Sequence, residues 1–203
     1  MEFNFKFILF TKLFLILNLG IIGFTNVGSL NEDNRLKGKK LRELNEDNLT
    51  TNPLTEWNIN YEKTIQYIKE HEGFAGGKPY ICPGGYETIG YGHVILENEN
   101  FTQLSLAQAD SLLRVDFNKA MAAVERTIQI NGSKKLAIAH FVFTRGIGTF
   151  IKSPLKQMIE KGEDIDDEIV KWCYYTNVKG ERVRSQHALN IRNWELKLYK
   201  KNS

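Results

Sequence analysis

Apolar residues recur at a helical period along most of this chain and alternate in only one short stretch. Tyr61, Ile65 and Ile68 fall one helical turn apart and lead to Glu72, after which Gly73 stops the helix. Ser105 with Gln108 three residues on has the form of a capping box. Behind it, Leu106, Ala109, Leu112, Leu113, Ala120, Val124 and Ile128 keep the spacing of a long amphipathic helix. Ser133 opens another helix through Leu136, Ala137, His140 and Phe143. Ser153 before Pro154 reads as a cap with proline in the first turn, and Gly162 ends that short helix. Two more helices are expected at about Asp164 to Tyr174 and Glu181 to Tyr199. Only Tyr80 to Asn100 reads as strand. There Gly84, Gly85, Gly90 and Gly92 alternate with Tyr86, Thr88, Ile89 and Tyr91, suiting a tight hairpin folded back over the end of the first helix. The pattern predicts an α+β, mainly helical domain with a small N-terminal β-sheet lobe and a cleft between the lobes.

Polarity divides the chain into three. Lys6 precedes an apolar run from Phe7, broken at Thr11-Lys12 and resumed from Phe14 to Val27-Gly28-Ser29. This is the form of a signal peptide over residues 1–29, with cleavage around Gly28 or Ser29, and it predicts export to the periplasm or the medium. Counted from Phe7, the run also suits an uncleaved anchor, which would bring the chain into membrane contact; a span needs about 20 apolar residues. Residues 30–57 are polar and contain Leu-Asn-Glu-Asp-Asn twice, at 30–34 and 44–48. Such composition buries no core and reads as a disordered linker. Residues 58–203 form one domain's length of chain, enough for a core.

The segment from Glu72 to His93 concentrates the candidate chemistry. Glu72 lies on the apolar stripe of its own helix, where loss of hydration disfavours the carboxylate and keeps a proton available for general acid catalysis. A structural Glu in the last turn, paired to a later Arg, is the alternative. Glu72-Gly73, Cys82 and the run Thr88-Ile89-Gly90-Tyr91-Gly92-His93 together resemble the signature of the phage-type lysozymes, the endolysins of glycoside hydrolase family 24. The resemblance continues in weaker form through Phe143 to Gly148, Ser153-Pro154-Leu155, Trp172 and Val183-Arg184. Two departures are visible. Nine residues rather than eight separate Glu72 from Cys82, placing an extra residue near Gly76-Gly77, and Thr144 stands where family members usually carry Asn or Gln.

The resemblance implies hydrolysis of the β-1,4 bond between N-acetylmuramic acid and N-acetylglucosamine in peptidoglycan. Glu72 would protonate the leaving oxygen while Cys82 and Thr88 hold a water on the opposite sugar face, across about 6.5–9.5 Å. A free thiol, with a pKa of about 8.5, is mostly neutral at pH 7, so the role of Cys82 stays open between base, nucleophile and water-holder. The resemblance also implies Val94, Phe143 and Ser153 as sugar-binding positions, although Phe143 equally suits a core and Ser153 a cap. It implies no cofactor and no metal, and a monomer.

Other chemistries find less support in the residues. Cys82 and Cys173 can pair in an exported chain, but Cys173 after Trp172 fits a small buried hydrophobe. His93, following the glycine-rich hairpin, reads as a structural residue tied to a carboxylate. No ligand spacing among the four His suggests zinc, and no GxxxxGK run suggests a nucleotide. The chain carries +3 overall; without residues 1–29 it keeps 25 Lys/Arg against 23 Asp/Glu, with the basic excess at the C-terminal end. That excess suits either a solvated helix face or attraction to an anionic wall. Export removes nucleic acid from reach. A non-catalytic wall-binding protein and a lytic transglycosylase, which would release anhydro sugars, remain as alternatives to a muramidase.

Overall fold

The computed structural model describes residues 53–82, 85–176 and 180–201. The expected signal or anchor segment and all but the end of the expected linker lie outside these residues. Helix α1 runs Pro53–Glu72, with Glu56 in its first turn where a carboxylate favours the helix dipole. The folded domain therefore begins at least five residues before the expected boundary at Asn58. The reason is Trp57, which packs against the core and lies 4.8 Å beneath the Lys135 ammonium.

A three-stranded antiparallel sheet follows, β1 Tyr80–Ile81, β2 Glu87–Ile89 and β3 His93–Val94. Then come α2 Leu106–Thr127, α3 Gly132–Arg145, α4 Ile147–Ile151, α5 Pro154–Lys161 and α6 Asp166–Val170. A 3₁₀ turn at Lys171–Cys173, the hairpin β4 Tyr174–Thr176 with β5 Arg182–Arg184, and α7 Gln186–Tyr199 complete the domain. The fold is α+β and mainly helical, as expected. Among the described residues no helix is long and apolar enough to cross a membrane.

The helix ends follow the capping chemistry of the sequence. Ser105 and Gln108 satisfy each other's backbone N–H groups at 2.8 and 3.3 Å. Ser153 Oγ accepts from Lys156 N, and Gly162 stops α5 at φ 70°. Ser133 differs from expectation. It lies inside α3, which starts at Gly132, and its hydroxyl donates to the Lys201 carbonyl at 2.6 Å, pinning the chain's end.

The C-terminal region also departs from the expected pair of helices, because a second hairpin separates them. Trp172 leaves helical geometry at ψ 17°, and the β-prone Tyr174-Tyr175-Thr176 pairs with Arg182-Val183-Arg184. Ser185 then caps α7 by accepting from Ala188 N, which moves the helix start past Glu181. A helical window over so short a hairpin does not see two three-residue strands.

Helix α3 is the centre of the core, buried on nearly every side between α2 and α7. Phe117, Phe141 and Phe150 are fully buried around it, each contributing about 2 kcal/mol or more from lost apolar exposure. One buried polar group crosses this core. His140 Nδ1 lies 2.6 Å from Glu195 Oε1, and the Arg192 guanidinium binds that same oxygen at 3.1 Å and Thr144 Oγ1 at 2.9 Å. Thr144, the departure from the usual Asn or Gln, is thus occupied in holding Arg192 and in donating to the Phe141 carbonyl.

Three backbone hydrogen bonds join the end of α1 to the sheet and to the approach to α2. Ala75 N donates to Gly90 O at 3.0 Å, Gly90 N to Gly76 O at 3.2 Å, and Leu104 N to Gly77 O at 2.7 Å. Gly76 turns at φ 116° with open space where a Cβ would stand, while a Cβ on Gly77 would lie 2.0 Å from the Leu104 carbonyl oxygen. Gly77→Ala is expected to cost about 3 kcal/mol, because backbone rather than a flexible side chain must yield. Urea denaturation measures this, and an unchanged midpoint would show that the loop is not held as described.

Candidate active site

Glu72 is the last residue of α1, and Gly73 N closes the helix onto Lys69 O at 3.0 Å with a left-handed φ of 68°. The turn that carries Glu72 rests on an aromatic stack. The Tyr67 ring lies flat on Trp194 at 3.7 Å and against His71 at 3.8 Å, joining the end of α1 to α7. One residue past this stack, the Glu72 side chain is 7 % exposed, a placement consistent with its position on the apolar stripe.

Sheet register decides what faces what. Tyr80 pairs with Thr88, and Thr88 with Val94, so these three share one face. Ile81 and Glu87, the neighbouring pair, point outward, and Ile81 is 68 % exposed. Cys82 follows Ile81 in the alternation and returns to the face of Tyr80; its own N–H reaches Tyr86 O at 2.9 Å and its carbonyl accepts from Gly85 N at 2.8 Å. Cys82 and Thr88 are both buried, at 4 % and 0 % exposure. Thr88 Oγ1 donates its hydrogen to Tyr86 O at 3.0 Å, which leaves its lone pairs to accept from another donor. Cys82 and Cys173 are both free buried thiols, so the pairing alternative is not realised.

Tyr80 is the residue that sequence reasoning passed over. Its phenol is pushed up to about 12 by burial first and then by Cys82 and Glu72, so its hydroxyl lies within electrostatic reach of both. The period-two alternation that puts Tyr80 on the face of Cys82 was the available signal.

The other candidate positions have varied surroundings. Val94 shares the face of Thr88 at the far edge of the sheet. Phe143 is buried in the helical core with its ring edge-on to Phe117. Ser153 donates to Phe150 O at 2.7 Å while capping α5, so both capacities of its hydroxyl are in use. His93 is tied to carboxylates as expected, with Nδ1 2.7 Å from Asp116 and Nε2 2.9 Å from Glu99. The Asp116 contact fastens β3 to α2, and the Glu99 contact holds the loop between them.

The phage lysozyme family matches residues 69–193, a span that contains Glu72, Cys82 and Thr88. The endolysin of Acyrthosiphon pisum secondary endosymbiont phage 1 is 29% identical over 143 residues, covering 68% of this chain and 95% of its own length. Among solved structures, the endolysin from Escherichia coli O157:H7 phage FAHEc1 is similar with a TM-score of 0.59 at 25% identity, over 68% of this chain and 91% of its own. The muramidase domain of SpmX from Asticaccaulis excentricus has a TM-score of 0.61 at 22% identity, covering 69% and 96%, a likeness of fold.

The His93 pair gives the site a pH dependence. Burial opposes the imidazolium, but Asp116 and Glu99 outweigh it and raise His93 above its ordinary value of 6.5. A raised folded value means that the stabilisation is complete below the unfolded value of about 6.5 and is lost as pH rises through the folded one. The stability advantage of wild type over His93→Gln is therefore expected to shrink on going from pH 5.5 to 9 in thermal melts. An advantage that grows with pH would contradict the pairing.

Proposed function

This chain belongs to the phage lysozyme family, and from that premise we propose that it is a peptidoglycan hydrolase of the muramidase type. It cleaves the β-1,4 bond between N-acetylmuramic acid and N-acetylglucosamine. Glu72 donates its proton to the glycosidic oxygen. Thr88, with lone pairs free to accept, and Cys82 hold the attacking water on the other face of the sugar. The observation that carries this reading is the buried carboxyl at the end of α1 beside a sheet face bearing Cys82 and Thr88. Burial places the carboxyl where bulk water is largely excluded, so a positioned acid there meets the leaving oxygen directly.

The N-terminal apolar segment supports export to where peptidoglycan is found, by cleavage or as an anchor, and the relatives named as endolysins agree with action on the cell wall. The protein works as a monomer and needs no cofactor.

Incubation of the full-length protein with purified peptidoglycan, followed by reducing-end assay and mass spectrometry, tests the reading. Wild type is expected to release reducing muropeptides and Glu72→Gln to lose at least about 100-fold. Anhydro products would make the protein a transglycosylase, and wall binding without release would make it a binder. Cys82→Asp is expected to keep or raise activity and Cys82→Ala to lose most of it; equal activity in Cys82→Ala and wild type would remove Cys82 from the mechanism.

A further inference from the structure

The Tyr80 hydroxyl is buried and has no hydrogen-bond partner among the described residues. Buried hydroxyls are nearly always paired, because an unpaired one forfeits its hydration without return. Tyr80 is therefore held at a cost in the free protein. Its position is fixed by pairing with Thr88 on β2, on the same sheet face as Cys82. The backbone bonds between Ala75, Gly76 and Gly90 bring the end of α1 to the end of that same strand. The protein groups within electrostatic reach of this oxygen are Cys82 and Glu72.

Of the two reacting groups on either side, only one gains negative charge during the proposed hydrolysis. When the Glu72 proton moves to the glycosidic oxygen, the C1–O bond breaks with its electron pair going to that oxygen, and a carboxylate is left on Glu72. The water adds to C1 and gives up its proton to solvent on the opposite face, and Glu72 later regains one from solvent.

We propose that Tyr80 is a positioning residue for this reaction, whose hydroxyl donates a hydrogen bond to the Glu72 carboxylate as it forms. The proposal rests on the muramidase reading. A shift of the Glu72 side chain toward the sheet, as substrate fills the cleft, makes the contact. A donor left unpaired in the ground state and paired in the transition state lowers the barrier without tightening substrate binding. The phenol stays protonated across any working pH, since burial, Cys82 and Glu72 all hold its proton on.

The test is Tyr80→Phe in the full-length protein, which keeps the ring and removes only the oxygen, assayed on soluble glycan strands beside wild type and Glu72→Gln. The expected result is a kcat at least about tenfold lower, a KM within twofold, and a melting temperature equal to or above that of wild type, because the lost oxygen had no partner. An unchanged kcat would overturn the proposal, as would a loss confined to KM or a loss of kcat that accompanies a lower melting temperature. If wild type turns over, Glu72→Gln does not and Tyr80→Phe is slowed as stated, the muramidase reading and the proposal both stand; if Tyr80→Phe matches wild type in that same assay, the reading stands and the proposal falls. If wild type itself releases no reducing ends, that reading fails and takes the proposal with it.

Discussion

The backbone bonds from Ala75, Gly76 and Gly77 to Gly90 and Leu104 are the constraint on which the site depends. Glu72 belongs to a helix, whereas Cys82 and Thr88 belong to a small sheet, and a three-stranded sheet of this length has little stability of its own. Unless the end of α1 is fixed to the end of β2, Glu72 and the face that carries Cys82 and Thr88 drift relative to each other, and under the proposed mechanism displacements of about 1 Å are costly. Glycine is required here for two distinct reasons. Gly76 turns at a φ closed to other residues, and Gly77 lies against a carbonyl where no Cβ fits.

Around this joint the helical body supplies rigidity. The Tyr67–Trp194 stack carries the end of α1 onto α7, and α7 is in turn locked to α3 through the His140–Glu195–Arg192–Thr144 group. Breaking such a buried pair by removing one partner leaves a charge without compensation, which makes the group intolerant of single changes. On the other side, His93 binds the sheet to α2 through Asp116, and Lys69 binds α1 to α2 through Asp110 at 2.7 Å. The end of α1 and the sheet are thus held to the helical body by side-chain contacts as well as by the backbone joint.

Much of this was legible in the residues, for reasons that can be named. Caps at Ser105 and Ser153 and the stops at Gly73 and Gly162 are local chemistry, so they appear in the sequence where they act in the fold. The position of Glu72 on an apolar stripe is a period, and His93 was read correctly as tied to a carboxylate. The start of α1 at Pro53 was hidden by its polar composition, since Trp57 alone signals that the segment packs. The β4–β5 hairpin was hidden because strands of three residues fall below the length over which a period can be recognised. The occupations of Phe143 in the core, of Thr144 beneath Arg192 and of Tyr80 beside the site depend on contacts between distant segments, which no single-sequence pattern records.

In the proposed mechanism a water held by the sheet face opposite Glu72 attacks the sugar directly. Proton NMR of the first sugar released from a soluble glycan strand, recorded before mutarotation, reads this from the anomeric configuration. An initial α-anomer, the inverted product of a β-linked substrate, is the expected result. An initial β-anomer would contradict it, because retention requires a covalent intermediate or an equivalent second displacement in place of the held water.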